Sequence, residues 1–596
     1  MDRNAVIGFV LIGLVLMLWM WLNAPPPQPP KISTTTDSIA LHKSTIDSAR
    51  AILPPQEKTY TPTDTLGKYF SALATGKEKF LFIESDLYRA RISSKGGSIQ
   101  VWELKKFKTW NQYPVNLINS DKAGDFHLLF SSVDGKLVDT KNLYFQSPLD
   151  NDQTVTLANQ DSFKVEFVLK ISEQSRIVKT LVFHNGNYDF DAYYRFEGMD
   201  DILANFEYQV TWESGLQYAE GNSIDESNSA KAFAYAGGEL TEVDATKFNE
   251  TQKQNISGRV SWVATRNKYF AVAIINREGD SQGAYLEGNR QKEPNDGAKE
   301  DYSLALKMPF LGNKLETAHF TVFLGPLDFD IVKGYNAGLD QMMSLGAAWI
   351  IRPISEYVMI PLFKFLKLFI PNYGFVLIVF SIIIKLALQP LTAKSMKSMQ
   401  RMQQLQPMMT EIREKFKDDP QKQNQQIMRL YKEYGVNPAG GCLPMLLQLP
   451  ILYALWAVFR SAIDLRQASF IWWIKDLSVP DVITKLSFRL PIVNMDEISG
   501  LAVLMGITMF IQQKMSVKDP RQKAMVWMMP VMMTLLFNSF PAGLNLYYFV
   551  FNLLSIGQQA WITKKHKDEP LRKVEEKKKS GGIFSRITKD MPKLNR

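Results

Sequence analysis

Cysteine is almost absent from this 596-residue chain, which contains only Cys442. A single cysteine excludes an internal disulfide framework and any cysteine-based zinc site. The five histidines lie far apart and show no metal-ligand spacing, so we predict no metal site: His42, His127, His184, His319 and His566. The chain also lacks a G-x-x-x-x-G-K-[ST] loop, a G-x-S-x-G elbow and an H-E-x-x-H pair. A catalytic Ser–Lys dyad is not excluded by spacing, because both residues are common. We nevertheless predict that the protein is not an enzyme and has no catalytic residues and no cofactor.

Charge is unevenly distributed along the chain. The composition of 46% hydrophobic, 22% charged and 12% aromatic residues excludes a chain mostly buried in lipid and a mostly disordered one. Residues 1–343 hold 35 basic and 43 acidic side chains, a net charge of −8, whereas residues 344–596 hold 34 and 17, a net charge of +17. The overall charge of +9 is therefore not a general nucleic-acid signature, and we expect no DNA partner.

An uncharged run, AVIGFVLIGLVLMLWMWL, occupies residues 5–22. At about 1.5 Å per residue it nearly crosses a bilayer core of about 30 Å. We interpret residues 1–24 as a retained transmembrane anchor. A cleaved signal peptide is the alternative, but the run is longer than a usual signal-peptide core and Pro25 directly follows Ala24. Residues 25–65, which begin with PPPQPP and are rich in Thr, Ser and Asp, are predicted to be a linker.

Residues 66–343 change to a period of two, which is typical of β-strands. The clearest predicted strands are 79–85, 98–104, 161–171, 188–196, 268–276 and 318–325. Glycine-containing turn signals separate them, at 95–97, 134–135 and 185–187. No long helical pattern interrupts the series, so the sequence predicts one large antiparallel β-sandwich domain.

Apolar runs dominate after residue 343. Residues 344–371 carry charges within apolar sequence and are predicted to form an amphipathic helix in the membrane interface. Residues 372–562 are predicted to form a five-helix membrane core. The approximate spans are 373–391, 444–461, 499–513, 525–541 and 543–562. Basic segments alternate with non-basic ones, so the positive-inside rule places both termini of this multi-pass chain in the cytoplasm and the β-domain outside.

Polar side chains recur at helical spacing within these spans. The last span carries polar residues at a 3-4-3-4 spacing that share one face of the helix: Asn545, Tyr548, Asn552, Ser555 and Gln559. The predicted groove-lining polar residues are Ser381, Gln389, Gln448, Thr508, Gln512, Asn538, Asn545, Tyr548, Asn552 and Ser555. Such faces either join helices by hydrogen bonds or line a hydrated groove. Because a lysine lies among them, we favour the groove.

Lys385 is the residue of greatest interest, because an ammonium near the bilayer centre costs about 2.5–3.5 kcal/mol on insertion scales. One interpretation is that its side chain extends to the cytoplasmic surface, since Thr392 and Lys394 lie only two turns further on. The other is a positive charge in a groove open to the cytoplasm, which would attract acidic residues of a passing polypeptide. We predict the second.

Residues 393–437 carry apolar positions at 3-or-4 spacing and are predicted to form a basic helical hairpin with its turn at Asp419–Pro420. Residues 563–596 form a basic tail. Both segments could bind anionic lipid or ribosomal RNA, although membrane topology alone would also explain their charge. Sixteen of the 25 methionines fall between Met396 and Met533, and methionine suits surfaces that accept varied apolar partners. Met505 and Met509 are the predicted substrate-contacting apolar residues.

Several motifs of the C-terminal half resemble the YidC family of the Oxa-type insertase superfamily. They include NYGFVLIVFSIIIKLALQPLT (372–392), NPAGGCLP (437–444) and FPAGLNLYYFVFNLLSIGQQ (540–559). The anchor followed by a β-domain resembles the Gram-negative form, in which the periplasmic domain is a β-supersandwich. The family's usual groove residue is an arginine that aligns with Lys385, so here the charge is retained and the planar guanidinium is not.

The resemblance implies a membrane protein insertase and folding chaperone of the cell inner membrane, acting alone or with the Sec translocon. It implies nascent membrane proteins as substrates, and contact with the ribosome through the hairpin and the basic tail. One alternative is a secondary transporter with an extracytoplasmic ligand-binding β-domain, but no internal repeat is visible. A glycan-binding or carbohydrate-processing domain on an anchor would leave the polar-striped helices unexplained.

Overall fold

The computed structural model describes residues 62–118, 124–148, 152–157, 161–294, 297–436, 443–490, 495–517, 523–565 and 573. The chain forms two compact units that divide between Met343 and Ser344. The predicted anchor 1–24, most of the linker 25–65 and most of the tail 563–596 lie outside the described residues.

The N-terminal unit contains nineteen strands in its described part. They are β1 Phe80–Glu84, β2 Tyr88–Ser93, β3 Ser98–Lys108, β4 Pro114–Asn116, β5 His127–Ser132, β6 Leu137–Asp139, β7 Gln153–Thr156, β8 Ser162–Lys170, β9 Arg176–His184, β10 Asp189–Glu197, β11 Leu203–Trp212, β12 Lys231–Ala236, β13 Glu239–Val243, β14 Thr251–Ser257, β15 Val260–Arg266, β16 Phe270–Asn276, β17 Gly283–Glu293, β18 Gly297–Pro309 and β19 Leu315–Pro326. Short helices accompany them: α1 Pro62–Phe70, α2 Ser223–Ser227 and α3 Phe329–Gly334. Helix α1 begins within the segment predicted to be linker.

The strands form three sheets. An eight-stranded sheet has the order β13-β12-β15-β16-β19-β10-β9-β8, a six-stranded sheet the order β14-β17-β18-β11-β5-β6, and a five-stranded sheet the order β4-β3-β2-β1-β7. The predicted antiparallel sandwich is therefore confirmed, and each of the six strands predicted most clearly corresponds to an observed one. The pairing of β1 with β7 is parallel, which the sequence did not predict.

Alternation of apolar and polar residues buries one row of side chains from each strand, and large aromatic rings fill the interior. Trp102, Trp212 and Trp262 are fully buried. The indole Nε1 of Trp102 on β3 donates a hydrogen bond of 2.9 Å to the carbonyl oxygen of Leu324 on β19, so it connects the five-stranded sheet to the eight-stranded one. This bond satisfies the polar atom of a side chain that is otherwise packed for its apolar area.

Lys179 on β9 is a fully buried lysine in this domain. Its ammonium donates to the carbonyl oxygens of Phe126 at 2.6 Å and Gly97 at 2.7 Å, and it lies 4.8 Å from the centre of the Phe126 ring. Burial lowers the pKa of Lys179 to about 7. The side chain therefore acts as a structural donor in the core rather than as a surface charge.

The C-terminal unit is mainly helical. Its helices are α4 Ile351–Ile354, α5 Ile360–Phe369, α6 Tyr373–Gln404, α7 Gln406–Lys415, α8 Pro420–Glu433, α9 Leu443–Ser461, α10 Gly500–Ser516, α11 Lys523–Phe537 and α12 Ala542–Lys565. A π-helical turn over Ser355–Met359 joins α4 to α5, so the predicted amphipathic segment is one helical stretch. Among the described residues, Tyr373–Pro390 is the one helical stretch long and apolar enough to cross a membrane, and Val526–Phe537 is a shorter apolar stretch. The count of five spanning helices stays a prediction.

The predicted hairpin within 393–437 needs one correction. Its first arm is not a separate helix starting near residue 393, because α6 continues without a break to Gln404 and α7 starts at Gln406, with Pro407 in its first turn. Helices α7 and α8 pack together through a small core of Leu405, Met409, Leu430 and Val436. The apolar spacing therefore predicted the packed faces correctly but missed the break at Leu405.

A β-hairpin precedes α10 and was not predicted. Strand β20, Val482–Leu490, pairs antiparallel with β21, Met495–Ser499. The sequence VITKLSFRL alternates apolar and polar residues, which is the signal that would have predicted it. The hairpin delivers Ser499 to the N-terminus of α10, where its side chain caps the amide of Ala502 at 3.2 Å.

Candidate functional site

Helix α12 packs against both α6 and α10, and the polar stripe predicted along it faces into this contact. Its members are between 0% and 9% exposed: Asn545, Tyr548, Asn552, Ser555 and Gln559. Helices α10 and α11 also approach closely at Gly506, where an added Cβ would lie 1.9 Å from Oγ1 of Thr534. The C-terminal helices therefore enclose a polar face rather than expose it.

Lys385 is a residue of α6, and its side chain lies against α12. The residue is 7% exposed. Its Nζ donates a hydrogen bond of 2.6 Å to Oγ of Ser555 and lies 4.5 Å from the centre of the Phe551 ring. Ser555 in turn donates to the carbonyl oxygen of Phe551 at 2.8 Å. Among the residues that the structure describes, no carboxylate forms an ion pair with Lys385. The ammonium is thus positioned by one hydroxyl and one aromatic face, with no countercharge in the described ranges.

The position of the Lys385 ammonium argues against the interpretation that this side chain extends to the cytoplasmic surface. Further along α6, Thr392 meets the next turn of α12, where Nε2 of Gln558 donates to its hydroxyl at 3.4 Å. Lys385 does not extend to that level, because its Nζ contacts Ser555 and Phe551. The lysine head group is therefore held between the helices and not drawn toward Thr392.

A second group of polar side chains lies around Asp481, and we call it the Asp481 cluster: Trp473, Asp481, Ser499, Asn538 and Asn545. The Asp481 carboxylate accepts hydrogen bonds from Trp473 Nε1 at 2.8 Å, from the amide of Leu501 at 2.7 Å and from the Ser499 hydroxyl. A carboxylate at the N-terminus of α10 is also favoured by the helix dipole. Asp481 is 5% exposed, so these three donors compensate for its burial.

The two asparagines extend the Asp481 cluster to α11 and α12. Oδ1 of Asn538 accepts from the amide of Ser499 at 2.8 Å, and its Nδ2 donates to the carbonyl oxygen of Glu497 at 2.8 Å. Nδ2 of Asn545 donates to the carbonyl oxygen of Phe537 at 3.1 Å. The hairpin β20–β21 and three helices are therefore joined at this end of the unit by buried hydrogen bonds.

Hydrogen bonds also join the other end of these helices. Ser516 and Gln559 bond through their side chains at 3.0 and 3.1 Å, which connects α10 to α12. Nε2 of Gln403 donates to the carbonyl oxygen of Ser516 at 2.6 Å, which adds α6. Lys385 and Ser555 thus lie between two hydrogen-bonded ends.

Several buried polar atoms in this region have no hydrogen-bond partner among the described residues. They are the hydroxyl oxygens of Tyr547 and Tyr548, Oδ1 of Asn545 and Oε1 of Gln558, and all four lie on α12. An unpaired buried polar group costs about 1–3 kcal/mol, so a helix carrying four of them is poorly satisfied by protein alone. Water or a polar part of another molecule would satisfy them.

The remaining predicted residues differ in their surroundings. Ser381 and Thr508 are buried, and each hydroxyl donates to a carbonyl oxygen of its own helix. Gln448 and Gln512 are partly exposed and Gln389 is exposed. Met509 is partly exposed, whereas Met505 is 2% exposed. A substrate could reach Met505 only if the helices moved apart.

Sequence reasoning missed the Asp481 cluster as a unit. Asp481 and Trp473 lie in a mixed-charge link between two predicted spans, and nothing in their spacing relates them to Asn538 or Asn545. The only visible signal was the alternating VITKLSFRL segment, which brings Ser499 back toward Asp481 once it is read as a hairpin.

Comparison with known proteins identifies the family. The family model described as 60Kd inner membrane protein matches residues 365–569, and the one described as YidC periplasmic domain matches residues 81–356. The membrane protein insertase YidC of Chlorobaculum parvum is 39% identical over 574 residues, and the match covers 96% of each chain. The chain belongs to the YidC family of membrane protein insertases. The protein of the same name from Chlorobaculum tepidum is 39% identical over 576 residues, again covering 96% of each chain.

The family resemblance predicted from the C-terminal motifs is therefore confirmed. A solved structure of an active YidC insertase with its first transmembrane domain resolved is 19% identical with a TM-score of 0.34, and the match covers 81% of this chain and 92% of that chain. YidC proteins are insertases rather than enzymes, and they are inner membrane proteins with a periplasmic domain. In this chain the periplasmic domain is the β-sandwich that precedes the helical unit.

Proposed function

We propose that this YidC-family protein inserts hydrophobic segments of nascent proteins into the inner membrane through a hydrophilic groove between α6, α10 and α12, in which Lys385 supplies the positive charge. It acts alone or beside the Sec translocon. The observation that carries the proposal is the buried ammonium of Lys385, which is held by Ser555 and has no carboxylate partner among the described residues. A charge kept in this way is available to a carboxylate that arrives from outside the protein.

The strength of the proposed attraction follows from the burial of Lys385, which keeps the effective dielectric constant below that of bulk water. Two opposite charges about 4 Å apart interact by about 4 kcal/mol at an effective dielectric constant of about 20. The unpartnered hydroxyls of Tyr547 and Tyr548 lie on the same helix as Ser555 and would offer hydrogen bonds to water or to polar parts of the substrate. Their presence supports a hydrated groove over helices joined by polar contacts alone.

We further propose that the groove opens to the cytoplasm and is closed on the periplasmic side. The positive-inside pattern places the α6–α7 segment and the C-terminal end of α12 in the cytoplasm and the Asp481 cluster near the periplasm. The hydrogen bonds of Asp481 to three separate donors support closure at that end. Opening toward the cytoplasm requires the hydrogen bonds among Gln403, Ser516 and Gln559 to break. In this topology both termini of the multi-pass chain are cytoplasmic.

The partners at the cytoplasmic face are the ribosome, the emerging chain and anionic lipid. Helices α7 and α8 form a hairpin with its own small apolar core, so they present a folded surface rather than a loose loop. Exposed basic side chains of this hairpin include Lys415 and Lys422, and charges of this kind suit RNA phosphates and lipid head groups. A secondary transporter is not favoured, because it would leave the insertase relatives unexplained.

Site-specific crosslinking tests this proposal. A photoreactive residue at Asn552, which faces into the helix contact, should capture a ribosome-bound nascent chain that carries a hydrophobic segment. The matched control is Leu553, the next residue of α12, which is 46% exposed on another face and should capture much less. Equal capture at both positions, or none at Asn552, would show that the substrate does not enter between these helices.

A further inference from the structure

Three neighbouring strands of the six-stranded sheet bring a histidine and two carboxylates to one place. His127 is the first residue of β5, Asp139 is the last residue of β6, and Glu213 directly follows the end of β11. Strand β5 pairs with β11 at His127 and with β6 at Leu129, so the three side chains meet at one end of the sheet. The amide nitrogens of Glu213 and Ser214 donate to the buried Asp125 carboxylate at 2.6 and 2.7 Å, which fixes the segment that carries Glu213.

The His127 ring is the unusual member of this group. Its side chain is fully buried, and neither ring nitrogen has a hydrogen-bond partner within the part of the chain that the structure describes. A buried imidazole normally donates or accepts at least one hydrogen bond, and leaving it without one costs about 1–3 kcal/mol. Nε2 nevertheless points at two oxygens, because it lies 3.4 Å from Oδ1 of Asp139 and 3.5 Å from Oε1 of Glu213.

These separations match the edges of a metal coordination sphere. They exceed the 2.7–3.2 Å that is typical of an N–H···O hydrogen bond. A tetrahedral zinc ion with ligand distances of about 2.0–2.2 Å places any two of its ligand atoms about 3.3–3.6 Å apart. The ligand atoms of all three residues lie within 4.8 Å of one another.

Lys141 sets the charge of the cluster. Its Nζ lies 2.9 Å from Oδ2 of Asp139 and 2.6 Å from Oε2 of Glu213, so each carboxylate turns one oxygen toward the lysine and the other toward His127. With a neutral imidazole the four side chains carry a net charge of −1, which still attracts a divalent cation. The lysine reduces that attraction. Its removal should therefore strengthen cation binding, whereas removal of a ligand should weaken it.

We propose that His127, Asp139 and Glu213 bind a divalent cation of the zinc type, with water as the fourth ligand. Imidazole with carboxylates suits zinc, and three protein ligands leave one position open. The side chain of Glu213 is 40% exposed, so the ion can enter from that side. A bound ion ties β5, β6 and β11 together and gives Nε2 of the buried imidazole a partner.

Cobalt is a direct probe of the proposed site, because tetrahedral Co²⁺ has strong visible absorption bands. The full-length protein, purified in detergent and stripped with a chelator, should bind one Co²⁺ with such bands and release it to Zn²⁺. Glu213→Gln, at a partly exposed position, should weaken binding at least about tenfold, or about 1.4 kcal/mol. His127→Gln should abolish the bands, and Lys141→Gln should tighten binding because it removes the competing positive charge.

The domain offers a matched control that lacks only the histidine. Lys231 contacts Glu242 at 2.8 Å and Asp244 at 3.1 Å, which repeats the pairing of one lysine with two carboxylates. Glu242→Gln should leave cobalt binding at the wild-type value. Absence of the bands in the wild-type protein, or equal affinity in wild type and Glu213→Gln, would overturn the proposed site.

Discussion

Replacing Lys385 with alanine is expected to reduce the insertion of substrates with acidic translocated segments by about tenfold or more. The lysine has no carboxylate partner among the described residues, so its charge is available to the substrate. An attraction of about 4 kcal/mol is available to a pair about 4 Å apart at an effective dielectric constant of 20. Loss of even about 1.4 kcal/mol of it corresponds to a tenfold change. Insertion can be measured by protease protection of newly synthesised substrates in vesicles.

Two variants separate the groove charge from general effects of the substitution. Lys385→Arg keeps the charge and should insert the same substrates at near the wild-type rate. Lys394→Ala removes an exposed lysine from the same helix and should have no effect. Normal insertion of acidic substrates by Lys385→Ala, or an equal loss in Lys394→Ala, would contradict a specific role for Lys385.

Removal of the Asp481 carboxylate should have the largest effect on stability. Asp481→Ala leaves the indole of Trp473, the amide of Leu501 and the hydroxyl of Ser499 without their acceptor. A buried donor left without its acceptor typically costs about 1–3 kcal/mol, and three donors lose theirs here. We expect a clear fall in the thermal unfolding temperature in detergent. Cysteines introduced near Asp481 should also become accessible to a membrane-impermeant maleimide from the periplasmic side.

The control for this prediction is a carboxylate on β21, the strand that ends at Ser499. Asp496 on β21 is half-exposed, and its contact with Arg489 is 3.7 Å. Asp496→Ala should change the free energy of unfolding by no more than about 0.5 kcal/mol, as is usual for surface substitutions. If the two variants unfold at the same temperature, the Asp481 cluster does not hold this end of the helical unit together.

Most of the fold could be predicted because its signals are local. The segment 188–196 alternates polar and apolar residues and forms β10, and the glycine-containing turn at 185–187 separates it from β9. Hydropathy located the apolar helices but not their true ends. Helix α6 continues to Gln404, since polar residues that follow a membrane span can extend the same helix. The hairpin β20–β21 was missed because its alternating pattern was read only as a link between two spans.

The candidate site was predictable only where the signal lies within one segment of the chain. Lys385 is visible as a charge within an apolar run, and the stripe on α12 is visible from its spacing. The Asp481 cluster and the group of His127, Asp139 and Glu213 arise from pairing between distant segments, so no local spacing reveals them. The sequence prediction of no metal site was based on spacing along the chain, and strand pairing brings together residues that this spacing does not relate.

The most direct test of the proposed groove is the accessibility of single cysteines to a membrane-impermeant maleimide. Cysteines at Ser381, Gln512 and Asn552 would be introduced into a Cys442→Ser background, with Ile382, an exposed apolar neighbour of Ser381, as the lipid-facing control. The proposed mechanism predicts labelling at the three polar positions from the cytoplasmic side, none from the periplasmic side, and none at the control. Absence of cytoplasmic labelling at all three positions would contradict a hydrated groove open to the cytoplasm.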